Sequence, residues 1–519
     1  MIRIDNLKIY KDLSEEELFA YALKKNKIKK QDVLEMNIFK KSIDARNKKD
    51  VHYNYAINVT LKDETKYPKA KKITPKPLPV IQCNRKSKLS PVIVGAGPAG
   101  LFCALFLIDH GYKPIIIEQG DCVENRQKYV EEYRTTGHLN EMCNVQFGEG
   151  GAGTFSDGKL TSNVTSYYVS SVLEYFYHFG APKEILYTNK PHIGTDNLVT
   201  ILKNIRAYIE EKGGKYYFNT KFIDYKKHND QIEVICDHQS FVTDALVLAI
   251  GHSARDTFKM LKDKNIEMVR KTFSVGVRCE HKQTMIDRSQ YGTFTTLQLP
   301  PAEYKLAYHG KNNRSCYTFC MCPGGEVIAS SSEQNGIVTN GMSVYKRDKE
   351  NANSALLVNV YPEDLQGDDP LEGMYYQARL EQKAYILGGS NGNAPIQRVE
   401  DFLNNQPSTK IGKIKPSYKP GVTLCNLHDI LPDYIGKTLQ EGIIDFDKKV
   451  RGFADPDAIL TGVETRSSSP ITILRDDSLM CNEKGIYPCG EGPGHAGGIT
   501  SAACDGIKVA IKIIEKNDD

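Results

Sequence analysis

The 519-residue chain has no tryptophan and no apolar run approaching the roughly 18 residues that a membrane-spanning helix needs. Its best stretch, residues 101–108, is less than half that length. A membrane span is excluded. Residues 1–5 alternate like a strand and contain no apolar h-region, so no secretory leader is expected. Cysteine is too scarce, scattered and odd in number for a disulfide framework. Most of the 13 sit singly among apolar neighbours (Cys103, Cys236, Cys504), reading as small buried hydrophobes in a reducing compartment. A cytoplasmic protein is therefore expected. Cys316, Cys320 and Cys322 have no second cluster at zinc spacing, and no metal site is expected.

Charge is scarce in net terms, at +4, but unevenly spread. Residues 1–90 hold 22 Lys+Arg against 11 Asp+Glu, and the remainder is acidic. A basic front can attract nucleic acid, yet no arginine cluster or interleaved aromatic run supports that use. A solvated lysine-rich surface is the favoured reading, with RNA or protein binding kept as an alternative.

The patterning divides the chain into five parts. Residues 1–66 form a small α+β unit. Ser14-Glu15-Glu16-Glu17 spells a capping box, and residues 51–61 alternate apolar and polar as a strand does. Residues 67–90, with Pro68, Pro75, Pro77 and Pro79 among lysines, read as an extended linker. From residue 91 an apolar strand, a glycine-rich turn, an apolar helix and a second strand (114–117) make a βαβ unit. A further apolar strand, 245–250, ends on Gly251. A last one, 485–489, runs into a helix from Ile499. Residues 271–449 differ in texture, with strands, tyrosines and loop signals, and read as an insertion. Residues 91–270 and 450–519 then form one split α/β domain. Oligomeric state is not legible.

Gly95-Ala96-Gly97-Pro98-Ala99-Gly100 follows the first strand and opens the helix. Gly95 permits the tight turn, Gly97 lets backbone approach a diphosphate, and Gly100 allows close helix–strand packing. Glu118, followed by Gln119, ends the second strand 18 residues after Gly100, where an acid accepts from ribose hydroxyls. This is a dinucleotide fingerprint. NAD and FAD both satisfy it, and the rest of the chain decides. Near the C-terminus Gly490-Glu491 and Gly497-Gly498-Ile499 form a strand–acid–Gly-Gly–helix element suited to a long FAD molecule. Glu491 would hold a ribitol hydroxyl, and the helix N-terminus would meet the flavin. The loop 146–159 places four glycines within residues 148–153. Gly150, Gly151, Ala152, Gly153, Thr154, Asp157, Gly158 and Lys159 are expected around the ring or the substrate.

These motifs, with Pro191-His192-Ile193-Gly194-Thr195-Asp196, Met321-Cys322-Pro323-Gly324-Gly325 and residues 461–470, resemble the FAD-dependent dehydrogenase-like flavoproteins of bacteria and plastids. That group is often labelled NAD(FAD)-utilising dehydrogenases. The resemblance covers nearly the whole chain. It implies FAD and a Rossmann-type domain split by a substrate-covering insertion, and it supplies no substrate. The expectation is an FAD-dependent oxidoreductase acting on a small molecule, with non-covalent FAD and NADH or NADPH as a transient donor. A flavin monooxygenase is the alternative within enzymes. Cys322, Arg466, His192 and Lys159 are the candidate catalytic residues. Arg466 is expected to grip a substrate carboxylate or the flavin edge, or else to pair with Glu464. Thr195 or Asp196 is expected to cap the helix that contains Leu198.

Overall fold

Apolar strands too short to stand alone are stacked into sheets by the helices between them, and three of the sheets organise the chain. The computed structural model describes residues 1–74, 81–84, 88–162, 164, 166–293 and 295–516. Pro75, Pro77 and Pro79 of the expected linker lie outside those residues.

The first unit is a four-stranded sheet with the helix Glu15–Lys25 against it. The capping box is present: Ser14 accepts from the Glu17 amide while the Glu17 side chain accepts from the Ser14 amide. The strand His52–Leu61 is central, with Ile2–Ile9 on one side and Val33–Asp44 on the other.

The second unit is the split α/β domain. Five parallel strands run in the order Ile486–Pro488, Leu246–Leu248, Val92–Val94, Ile115–Ile117, Lys215–Tyr217. The chain leaves Val92–Val94 toward one edge and returns on the other side. The gap between Val92–Val94 and Leu246–Leu248 is thus the switch point, outside whose carboxyl ends ligands bind in such sheets. Pro98–Asp109 and Ile499–Glu515 pack together on one face. A Cβ on Gly506 would stand 2.1 Å from the Ala99 carbonyl oxygen, so only glycine allows that approach.

The third unit is the β-rich insertion. Its seven-stranded sheet has Phe273–Lys282, Asn351–Val360 and Ile459–Glu464 at its heart, and the helix Asp433–Lys449 covers one face. Ile459–Glu464 pairs with Phe273–Lys282 and Ala394–Arg398, so the insertion sheet runs past residue 449, where the boundary is expected. Phe273–Lys282, paired with Asn351–Val360 on one side, takes Ile459–Glu464 on the other, and the sheet closes only after Glu464. The two crossing segments, Met268–Arg270 and Ile471–Ile473, then pair with each other. This is the Rossmann-type α/β domain, split by a β-rich insertion and preceded by a small α+β unit, that the patterning predicts. Among the described residues no helix is long and apolar enough to cross a membrane.

Candidate functional site

A cavity of about 810 Å³ opens at the switch point and runs to the insertion. Volumes of about 300–1,000 Å³ are usual for ligand clefts. One end is lined by Gly95, Gly97, Pro98, Ala99 and Glu118, and the middle by Gly251, Glu491, Gly497, Gly498 and Ile499. The far end is lined by Lys159, Thr318, Phe319, Cys320 and Arg466. Gly151, Ala152, Gly153, Asp157 and Gly158 also border it. Gln119, Gly100, Gly150, Thr154, Gly490, His192 and Cys322 do not.

The fingerprint and the glycine loop are held together through Glu118. Its carboxylate accepts from the amides of Ala96, Gly120 and Gly148, each at 2.9 Å. A carboxylate offers about four acceptor positions, so about one remains for a ribose hydroxyl. Gly150 in turn donates to the Ala96 carbonyl at 2.8 Å, bringing the loop against the turn that precedes the helix.

Beneath the loop lies Arg126, which sequence reasoning missed. It sits on the helix Val123–Thr136, is fully buried, and donates to the carbonyls of Asn144, Val145, Gly148 and Glu149. Its guanidinium also rests on the Phe155 ring, 4.9 Å from the centroid. Burial draws Arg126 down to about 10, still charged at neutral pH. Glu149 is buried alongside; one oxygen accepts from Val123 N and Arg206, while the other has no partner. Burial pushes it up to about 7.

The far end of the loop is tied to the insertion. Asp157 takes a two-pronged contact from Arg347, at 2.9 and 2.5 Å, with both groups buried. Lys159 donates to the Met321 carbonyl and lies 3.8 Å from Glu303. His192 stacks on Tyr345 and bonds its carbonyl at 3.0 Å, behind the cavity wall; burial lowers its pKa. Neither Thr195 nor Asp196 caps the helix Thr195–Glu211. Gly194 occupies that position at φ 79°, and the two side chains reach Thr154 and Tyr345 instead.

Arg466 does not pair with Glu464. Glu464 is taken by the buried Arg278 at 2.6 and 2.8 Å. Arg466 forks onto Glu381 at 3.0 and 2.8 Å and donates to Ser253 and Ser332. Burial raises the pKa of Glu381, but Arg466 and Arg255 overcome it and hold the carboxyl well below its usual range. With its planar fork filled, Arg466 has no free pair of donors for a substrate carboxylate.

His252, also missed, follows Gly251 at the strand end. Its Nδ1 lies 3.6 Å from Glu491 and its Nε2 is buried without a partner. Burial, then Arg466 and Arg255, lowers it to about 3, so it is neutral. Burial raises Glu491 to about 7 against the opposing charge of Lys271.

The cavity fits FAD. Cβ atoms built on Gly251, Gly497 and Gly498 meet nothing within 4 Å, and one on Gly97 meets only Gly151 Cα at 3.7 Å. Backbone thus faces open space where a bulky ligand can lie. Two long helices, Pro98–Asp109 and Ile499–Glu515, direct their positive N-termini at that space.

Comparison with known proteins agrees. Residues 90–276 match the pyridine nucleotide-disulphide oxidoreductase family and residues 272–467 the FAD-dependent protein, C-terminal domain-like family. Residues 1–60 match a domain of unknown function. An uncharacterized protein of Clostridium beijerinckii is 46% identical over 528 residues, covering 100% of this chain and 99% of its own. Among solved structures, CtdE in complex with FAD is 10% identical at a TM-score of 0.31, covering 81% of this chain and 82% of that one. The halogenase PltM is 8% identical at 0.38, covering 82% and 68%. FAD is the cofactor, and the domains are of oxidoreductase type. The chain belongs to the same family as its Clostridium relative, and its parts match the FAD-dependent protein and pyridine nucleotide-disulphide oxidoreductase families.

Proposed function

We propose that the protein is a dehydrogenase that passes hydride or electrons between a small-molecule substrate and non-covalently held FAD, with NADH or NADPH as transient donor. The observation that carries this reading is the single cavity shared by the cofactor-facing glycines and by Lys159, Thr318, Phe319 and Cys320 at the insertion. FAD, when bound, supplies reversible two-electron chemistry at its flavin ring. Around it the chain's own groups bind and orient. Glu118 accepts from the adenosine ribose with its remaining acceptor position. The amides after Gly97 face the diphosphate. Glu491 takes a ribitol hydroxyl, and the amides of Gly498 and Ile499 meet the flavin's pyrimidine edge. Substrate lies against the insertion, whose strand Ser315–Cys322 lines that side of the cavity. The division that serves this purpose runs 1–66, 67–90, 91–270, the insertion from 271 to just past 464, and the return to 519.

The test is the visible spectrum of the purified protein, followed by anaerobic addition of NADH and NADPH in turn. Flavin absorbance bleached by one of them, and restored by a small-molecule acceptor, is expected. A folded protein that takes up no flavin after reconstitution would overturn the reading. Oxygen-dependent hydroxylation of an added substrate would replace it with a monooxygenase.

A further inference from the structure

The strand Ser315–Cys322 pairs with Asn351–Val360 up to Phe319↔Ala355 and resumes at Cys322↔Asn353. One extra residue is thus accommodated, a bulge of the kind that re-aims side chains beside active sites. Cys320 sits in it at φ 44°, a left-handed conformation that non-glycine residues adopt at some cost. The bulge turns Cys320 onto the cavity while Cys322 stays fully buried behind it. The Cys322 thiol donates to the Cys320 carbonyl, at 3.3 Å, which keeps the two cysteines side by side in the bulge.

The charges around the pair are asymmetric. Arg278, buried beneath, donates to the Cys320 carbonyl at 3.1 Å and to Asn353 at 2.8 Å. Lys159 anchors on the carbonyl of the intervening Met321. Glu464 opposes them but is neutralised by Arg278; Asp157, whose charge bears on Cys322, is neutralised by Arg347. The Cys322 hydrogen bond, with Arg278 and Lys159, lowers the pKa of Cys320 against the effect of burial, and that of Cys322 rises in response.

We propose that Cys320 and Cys322 form a dithiol centre that reduces low-molecular-weight disulfides entering the cavity, Cys320 attacking and Cys322 resolving. The Cys320 thiolate attacks one sulfur of R–S–S–R, forming the mixed disulfide and releasing R–S⁻. Capping removes the negative charge beside Cys322, whose proton then passes to the departing thiolate. Cys322 attacks the Cys320 sulfur and the second R–S⁻ leaves. The protein is oxidised by two electrons to a Cys320–Cys322 disulfide, and the small disulfide is reduced to two thiols. One intervening residue closes a small ring, and strained disulfides are the labile, exchangeable ones. The centre is independent of the flavin reading, since its single turnover needs only the disulfide.

The test uses full-length protein, reduced and freed of reductant, with 5,5′-dithiobis(2-nitrobenzoate) as probe at pH 6.5 and free glutathione as the ordinary-thiol control. Cys83, the exposed cysteine, is replaced by serine throughout to remove its background. A rapid phase at least tenfold faster than glutathione is expected, releasing two thionitrobenzoates per chain and retaining none. Peptide mapping should then find Cys320 linked to Cys322. Cys322→Ser should release one and keep one label, on Cys320, and Cys320→Ser should lose the rapid phase. With Cys83 alone replaced, a rate no faster than glutathione, or label retained on the chain, overturns the proposal. That measurement decides even if a Cys320 or Cys322 variant fails to fold. Loss of bound flavin alone leaves these readouts unchanged.

Discussion

Gly97→Val separates cofactor binding from folding because of where its side chain would go. Gly97 is the N-cap of Pro98–Asp109 at φ −78°, ψ −178°, an extended geometry that valine adopts readily. Its Cβ would have only Gly151 Cα near it, at 3.7 Å, and the γ-carbons would project into the cavity. Replacing a glycine cap with a β-branched residue costs about 1 kcal/mol, too little to unfold the chain. A diphosphate that must shift away from the helix N-terminus loses its amide contacts. A penalty of at least about 2.8 kcal/mol, or about 100-fold in Kd, follows if two such contacts are lost. Gly506→Val is the contrast: its Cβ would lie 2.1 Å from the Ala99 carbonyl, so the two helices must separate and the fold itself fails. Apoprotein titrated with FAD, followed by flavin fluorescence quenching, measures the affinity, and circular dichroism measures folding. Stoichiometric, tightly held FAD in folded Gly97→Val would refute the placement of the diphosphate.

Glu118→Ala should weaken FAD by more than the roughly 1.5–3 kcal/mol of one charged hydrogen bond, because three loop amides lose their acceptor too. Glu118→Gln, keeping one carbonyl oxygen, should fall between; equal affinities in all three proteins would count against the assignment. Arg126→Lys should lower thermal stability and FAD affinity together, since an ammonium cannot reach four carbonyls spread over residues 144–149. Unchanged melting would contradict the anchoring role. Glu149 is raised to about 7 in the folded chain, above the ordinary carboxyl range, so the folded state binds the extra proton. Its contribution to stability should therefore fall as pH rises from about 4.5 to about 7, by up to about 1.4 kcal/mol per pH unit, alongside a like contribution from Glu491 and against the opposite one from His252. The difference in stability between the parent and Glu149→Gln, followed in urea titrations at stepped pH, should shift by that amount across the window, and a pH-independent difference would mean that Glu149 does not titrate there.

Motifs built from consecutive residues were legible: the fingerprint, the strand–glycine endings and the capping box each carry their physical reason within a few positions. The strand Val33–Asp44 was not, because bulges at Val33/Glu35 and Ile38/Lys40 break the two-residue alternation that marks a strand. The helix Val123–Thr136 escaped for another reason. It buries Arg126 along with Val123, Val130 and Tyr133, so its charged sequence reads as solvated surface. The turn Met321-Cys322-Pro323-Gly324-Gly325 pointed to Cys322, and only the bulge puts Cys320 on the cavity instead. Arg466 shows the same limit, since its partner Glu381 lies 85 residues away on the helix Glu372–Leu387.

What distinguishes the glycine loop from an ordinary flexible hairpin is that its two ends are held by different units. Residues 144–149 are fastened to the parallel-sheet domain through Glu118 and Arg126. Residues 157–159 are fastened to the insertion through Arg347 and the Met321 carbonyl. Between the two sets lies a stretch of Gly150, Gly151 and Gly153 whose backbone borders the cavity or the turn at Gly97. Displacement of the insertion against the sheet works against the buried Asp157–Arg347 pair, the Gln146–Ser330 hydrogen bonds and the Arg255–Glu381 ion pair, except where those glycines can yield. Breaking such a pair leaves a buried charge uncompensated, at a cost of about 3–5 kcal/mol. Glycine dihedrals yield at far lower cost. Movement of the insertion at this point is therefore taken up most easily in the glycines that border the cavity. The bulge carrying Cys320 is tied to that segment through Lys159, so it moves with it.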